Sequence, residues 1–174
     1  VTKVSTSVDS SPSNLYAHTC AIADGSLYCW GYNGYYQVDS SGSTRYGPVQ
    51  VTNGSALPGG APLSISTGYY SSCAVGADSR AYCWGGGSYG NIGNGSASGT
   101  YMTPVAVSQG VVPAGTTFKS IASKYYHTCA VGSDGKTYCW GYGNDGQLGN
   151  GSTSNSSTPV AVSQGSIPTG VTAK

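Results

Sequence analysis

Six cysteines and two histidines are the residues of this 174-residue chain best equipped for chemistry beyond packing. The cysteines fall as Cys20/Cys29, Cys73/Cys83 and Cys129/Cys139, pairs separated by 9, 10 and 10 positions. Each pair brackets a turn-like stretch, so among the many connectivities six cysteines allow, one local bridge per pair is the simplest. The rival chemistry is metal binding, because His18-Thr19-Cys20 and His127-Thr128-Cys129 put an imidazole beside a thiol. Its spacing is wrong: there is no C-x-x-C, and Ser71 stands where the other two units have histidine. No metal or cofactor is therefore expected. Acid–base catalysis has equally little material, with no glutamate and with aspartates mostly in turn-like positions. A nucleophile elbow of the Gly-x-Ser-x-Gly kind is missing, and Asn144-Asp145-Gly146 is only a fragment of a calcium loop. We expect no catalytic residues. A secreted hydrolase would have to gather His18 or His127 with an aspartate.

Tyrosine is the other abundant resource, with 15 copies. Tyr28, Tyr82 and Tyr138 recur beside Trp30, Trp84 and Trp140, on the strand face opposite the cysteines, and read as packing between repeated units. Tyr32, Tyr35, Tyr36, Tyr69, Tyr70, Tyr89, Tyr101, Tyr125, Tyr126 and Tyr142 lie outside that pattern, several of them in loops. Loop tyrosines offer wide amphipathic faces at low entropy cost, which suits a protein or glycan ligand. Tyr35, Tyr36, Tyr69, Tyr70, Tyr125 and Tyr126 are the candidate binding residues. Asn53, Asn94, Asn150 and Asn155 begin Asn-x-Ser sequons and are candidate glycosylation sites, although Asn-Gly-Ser is also ordinary turn chemistry.

The elements that position these residues follow from composition. Leucine occurs only at Leu15, Leu27, Leu57, Leu63 and Leu148, against 28 glycines, so an all-helical fold is excluded and the chain reads as β. At 38% hydrophobic and 7% charged it is not a disordered polyelectrolyte. A net charge of +1 with scattered basic residues gives no field for nucleic acid or an anionic membrane. No apolar run is long enough to span a bilayer as a helix. The start at Val1 and the single Met102 read as a processed form or an excised segment. Paired cysteines point to an oxidising, extracellular or cell-surface setting.

One unit is repeated three times. His18-Thr-Cys-Ala-Ile-Ala-Asp-Gly-Ser-Leu-Tyr-Cys-Trp-Gly31 aligns with Ser71-Ser-Cys-Ala-Val-Gly-Ala-Asp-Ser-Arg-Ala-Tyr-Cys-Trp-Gly85 and His127-Thr-Cys-Ala-Val-Gly-Ser-Asp-Gly-Lys-Thr-Tyr-Cys-Trp-Gly141. The spacing is 53 residues from Cys20 to Cys73 and 56 from Cys73 to Cys129, as in propeller blades and solenoids. We divide the chain into an N-terminal strand and linker (1–14), repeat one (15–67), repeat two (68–123) and a truncated repeat three (124–174). The cysteine pair of the first hairpin is centred between Asp24 and Gly25, which predicts a two-residue type I′ turn. The other two are centred on Asp78 and Asp134 and predict odd-numbered loops, with the cysteines directly opposed in every case.

The third unit, through His127-Thr128, Asp134-Gly135, Tyr138, Trp140-Gly141 and Gly146-Gln147-Leu148-Gly149-x-Gly151, resembles the regulator of chromosome condensation type repeat. That resemblance implies β-propeller blades of four strands. Unit two keeps Trp84-Gly85 and Gly90-Asn91-Ile92-Gly93-Asn94-Gly95, while unit one departs after Trp30-Gly31, at Gly34-Tyr35-Tyr36-Gln37-Val38, so its second half is expected to pack differently. The family's eukaryotic founder acts on a small GTPase and chromatin, a role that the disulfides and the lack of a basic surface argue against here. The expected fold is all-β: three propeller-blade-like repeats with one hairpin disulfide each, forming an incomplete propeller or open arc. Three blades cannot surround an axis, so exposed end faces are expected to pair with copies of the chain or with further chain, and the strand-like residues 1–7 are expected to complete a sheet within or between chains. The resulting expectation is an extracellular, non-enzymatic, self-assembling structural protein of a surface layer, filament or appendage. The alternative is an adhesion or ligand-binding module reading protein or glycan through its Tyr-rich loops.

Overall fold

A computed structural model describes residues 1–7, 16–51 and 57–165. The described residues form three four-stranded antiparallel sheets and no helix. The first sheet holds β1 (Lys3–Thr6), β2 (His18–Ala23), β3 (Ser26–Gly31) and β4 (Arg45–Gln50) in chain order. The second holds β5 (Ser64–Thr67), β6 (Ser71–Val75), β7 (Ala81–Ser88) and β8 (Ser98–Ala106), and the third β9 (Phe118–Lys124), β10 (His127–Gly132), β11 (Thr137–Gly141) and β12 (Ser156–Ala161). Each sheet is an up-and-down blade, and β1, β5 and β9 lie side by side. The strand-like N-terminal segment therefore closes the first blade of its own chain, Val4 opposite Ala21. The sequence repeat and the sheet are out of phase by one strand: β5 lies at the end of repeat one, and β9 runs across the boundary of repeats two and three, yet each opens the next sheet. Asn53, Leu15, Pro168 and the segment 171–174 fall outside the described residues.

The three hairpins carry the disulfides. Cys20 pairs with Cys29, Cys73 with Cys83 and Cys129 with Cys139, each directly opposed across its ladder. In the first hairpin Ala23 opposes Ser26, and Asp24 and Gly25 both have positive φ, 48° and 71°, the signature of a type I′ turn. In the second, the Gly76 amide donates to the Arg80 carbonyl, leaving Ala77-Asp78-Ser79 as a three-residue loop that ends with Ser79 at φ 62°. Ser133-Asp134-Gly135 repeats that loop in the third hairpin, with Gly135 at φ 77°. The register slips between β3 and β4, β7 and β8, and β11 and β12 at the tryptophan of each Trp-Gly pair. The glycine that follows turns back against the neighbouring chain: at Gly141, φ 103°, an added Cβ would overlap the Tyr126 carbonyl oxygen. That close approach explains why tryptophan is followed by glycine in every unit.

The core lies between blades. Each sheet turns its disulfide toward the following blade and its Tyr/Trp pair toward the preceding one, as period-two alternation requires. Cys20, Ile22, Leu27, Cys29 and Val38 of the first blade thus meet Ile65, Ala74, Tyr82 and Trp84 of the second. Cys73, Val75, Cys83 and Ile92 of the second meet Ile121, Ala130, Tyr138 and Trp140 of the third. The departure of unit one at Gly34–Val38 does not change this packing. Val38 is fully buried like Ile92 and Leu148, and Tyr36, at φ 63°, adopts the left-handed conformation that Gly90 and Gly146 hold in the other units. The expectation that this half packs differently is corrected: only the backbone conformation had to be preserved, and a strained tyrosine preserves it.

Candidate functional site

The connections β1–β2, β5–β6 and β9–β10 leave the sheets at the same edge as the loops that follow β3, β7 and β11. Tyrosines occur in both sets, so one face of the arc collects them. Tyr16, Tyr69-Tyr70 and Tyr125-Tyr126 come from the first set, and Tyr32, Tyr35, Tyr89 and Tyr142 from the second.

Their rings form a continuous belt across all three blades. Tyr16 and Tyr32 stand edge to face at 5.0 Å between centroids, and Tyr35 lies over Tyr70 at 4.0 Å. Tyr70 touches Tyr69 at 4.1 Å, Tyr69 reaches Tyr126 at 5.8 Å, and Tyr126, Tyr89 and Tyr142 continue the series at 5.3 and 5.1 Å. The separations of 5.0 to 5.8 Å are in the range where aromatic quadrupoles favour offset or edge-on contact. Tyr35, Tyr89 and Tyr125 are the exposed members, and the rest are half-buried. Burial, followed by the neighbouring phenols, pushes the pKa of Tyr32, Tyr70 and Tyr126 upward, so these three phenols stay neutral at physiological pH. The Lys124 ammonium sits 6.0 Å from the Tyr125 centroid. The surface is broad, aromatic, hydroxyl-bearing and nearly uncharged.

Five of the six candidate tyrosines, Tyr35, Tyr69, Tyr70, Tyr125 and Tyr126, are brought together here. Tyr36 is not: its left-handed backbone turns the ring toward Gly42, away from the other rings. Tyr16, Tyr32, Tyr89 and Tyr142 complete the belt but were not among the candidates. For Tyr16 the signal was in the alignment, since it occupies the column of Tyr69 and Tyr125. The other three needed the loops to be folded back onto the face.

His18, Asp39 and the described sequon asparagines make contacts within the fold. His18 is fully buried, and burial lowers its pKa to about 3. Its Nε2 lies 2.8 Å from Ser72 Oγ, which in turn donates to the Gln37 carbonyl at 2.8 Å, so this Ser–His contact is sealed between blades. Neither histidine hydrogen-bonds an aspartate among the described residues, as a hydrolase would need. No group of three metal-ligating side chains occurs among them either. Asn94 and Asn150 accept from the amides of Ser96 and Ser152 in matching turns, and Asn155 accepts from the Gly143 amide at 2.8 Å. Asp39 pairs with Arg45 at 2.7 Å; burial alone would raise its pKa, but hydrogen bonds from Ser41 and Arg45 hold it low.

Repeated four-stranded blades packed through Trp-Gly hairpins define a fold, and sequence comparison places it. Models of the regulator of chromosome condensation (RCC1) repeat match residues 134–172 and 118–147. The chain contains RCC1 repeats, matched over residues 118–172. The ultraviolet-B receptor UVR8 of Arabidopsis thaliana is 31% identical over 151 residues, 83% of this chain and 32% of that protein. The chain thus spans about a third of that relative's length. Human WBSCR16 superposes with a TM-score of 0.76 over 92% of this chain and 39% of its own, at 20% identity. Saccharomyces cerevisiae Prp20p, characterised for its binding to Gsp1p and histones, superposes at 0.69 over 86% of this chain and 37% of its own, at 22% identity. At these identities the structures establish the RCC1 propeller fold. No helix among the described residues is long and apolar enough to cross a membrane.

Proposed function

We propose that this RCC1-repeat chain is a non-catalytic recognition module of an extracellular or cell-surface protein, binding a protein partner through its tyrosine belt. The observation that carries this is the belt itself, nine rings from three blades joined at 4.0 to 6.4 Å on one face. Rigid, half-buried tyrosines lose little entropy on binding and combine apolar area with hydroxyls, the composition enriched in protein-recognition surfaces. Prp20p is a protein-binding member of the same fold, which supports a protein over nucleic acid, as does a net charge of +1. The three disulfides support an oxidising compartment.

The test uses a displayed peptide library and a glycan array, probed with the wild-type chain and with Tyr35→Ser/Tyr89→Ser/Tyr125→Ser. These three rings are exposed, so the thermal midpoint should change little. Peptide ligands lost in the triple variant support the proposal. Ligands indifferent to it, or hits confined to glycans, overturn the protein reading. The self-assembling structural reading is favoured by a different observation, the composition of the two end faces.

A further inference from the structure

The two internal blade junctions are built from the same parts. At the first, the Trp84 indole donates to the Gln37 carbonyl at 2.9 Å, and Ser72 donates to the same oxygen at 2.8 Å. His18 and Cys20 of the first blade sit against that serine, at 2.8 and 3.6 Å. At the second, Trp140 and Thr128 point at the Asn91 carbonyl from 3.0 and 3.4 Å, and Cys73 lies 3.8 Å from Thr128. One blade thus supplies a loop carbonyl and a cysteine, and the next supplies an indole and a hydroxyl.

Among the described residues, both halves of a third such junction lack their counterpart. On the first blade, Thr19 and Trp30 occupy the positions of Thr128 and Trp140. On the third, His127, Cys129 and the Gln147 carbonyl occupy those of His18, Cys20 and the Gln37 carbonyl. The Trp30 indole, Thr19 hydroxyl, His127 ring and Gln147 carbonyl have no hydrogen-bond partner among the described residues. Exposure tells the same story. Val4 is 62% exposed, whereas its counterparts Ile65 and Ile121 are 7% and 6% exposed, and Trp30 is half-buried where Trp84 and Trp140 are fully buried.

We propose that the first blade of one chain docks onto the third blade of a second copy, repeating the junction made twice within each chain. Trp30 and Thr19 donate to the Gln147 carbonyl, His127 meets the Thr19 hydroxyl, and Val4 and Tyr28 cover Val131 and the Cys129–Cys139 bridge. The histidine and glutamine offered by the third blade are the pair used at the first internal junction, and the threonine and tryptophan offered by the first blade are the pair used at the second. The contact is heterologous, so it closes into a ring or propagates. Two chains joined at both ends give six blades, within the range of about four to eight that closes a propeller. The docking is independent of the tyrosine belt.

The test is the mass of the purified chain against concentration, by sedimentation velocity and native mass spectrometry, for wild type, Trp30→Ala and Val4→Asp. Val4 is already in solvent, so Val4→Asp separates a lost junction from a failure to fold. We expect the wild type to form a two-chain ring or a head-to-tail series, with Trp30 emission moving to the blue as it associates. Each substitution should weaken association about tenfold or more. A monomer at every concentration, or association unchanged by Val4→Asp, overturns the proposal. The Tyr35/Tyr89/Tyr125 serine variant should associate normally, so failure of the belt and failure of the junction are told apart.

Discussion

At the scale of single residues, the most consequential side chain is His18, which sequence alone could assign to a metal, a catalytic site or a hydrogen bond. Its Nε2 lies 2.8 Å from Ser72 Oγ inside the first junction, and complete burial pushes its pKa down to about 3. The unfolded chain, with a histidine near its ordinary value of 6.5, binds the proton that the fold refuses. Stability should therefore fall as pH drops below about 6.5 and stop falling on this account near 3, with a slope approaching one proton between. Replacement by glutamine, which keeps a donor for Ser72 without a titrating ring, should flatten the slope in that window. Denaturant midpoints followed by circular dichroism from pH 7 to 4 would check it. An unchanged slope would contradict this account. Tyr36 makes the complementary point that a residue type can mislead: it reads as a binding tyrosine, yet its backbone conformation turns it toward Gly42.

At the scale of the hairpin, the aspartate of the loop organises the turn. Asp78 accepts the Arg80 amide at 3.1 Å and the Tyr82 hydroxyl at 2.6 Å, and Asp134 does the same for Lys136 and Tyr138. Burial and then this carboxylate push Tyr82 and Tyr138 up to about 12. The loops differ at their last residue, where Ser79 and Gly135 both have positive φ. A serine there carries the left-handed cost that glycine avoids. Ser79→Gly should therefore stabilise by roughly 0.5–1 kcal/mol and Gly135→Ser destabilise by about as much. Thermal midpoints moving in the same direction for both would contradict this account. The one-residue difference among the hairpins was readable from the positions of the cysteines, because opposed cysteines fix the register and leave only the loop length free.

At the scale of the molecule, three blades share two cores, and that arithmetic leaves the third disulfide different from the others. Cys20, Cys29, Cys73 and Cys83 are fully buried between blades, whereas Cys129 faces the side where the described residues form no following blade and is partly exposed. Each bridge closes a loop of similar length and contributes somewhat under about 3 kcal/mol by constraining the unfolded chain. Access separates them. Graded reduction of the native chain, with thiols trapped and mapped by mass spectrometry, should open Cys129–Cys139 first. If Cys73–Cys83 opened first, the arrangement of the cores would be misassigned. Raising the protein concentration should protect the third bridge if copies dock end to end, because the docking face covers it.

Much of this was legible in the sequence: the β class, the three units, the cysteine pairing, the turn types and the packing role of the Tyr/Trp pairs. All are properties of local register and repetition, and a period-two strand states which side chains share a face without further information. What the sequence could not state is which loops converge. Tyr32, Tyr89 and Tyr142 join a belt only because the inner-strand turns and the loops after each Trp-Gly pair emerge at one edge. The role of Gln37, Asn91 and Gln147 was hidden for a related reason, since it is their backbone carbonyl that receives the next tryptophan, and a carbonyl leaves no mark on residue type. Contacts between blades couple residues some fifty positions apart, and only the folded arrangement of the sheets brings them together.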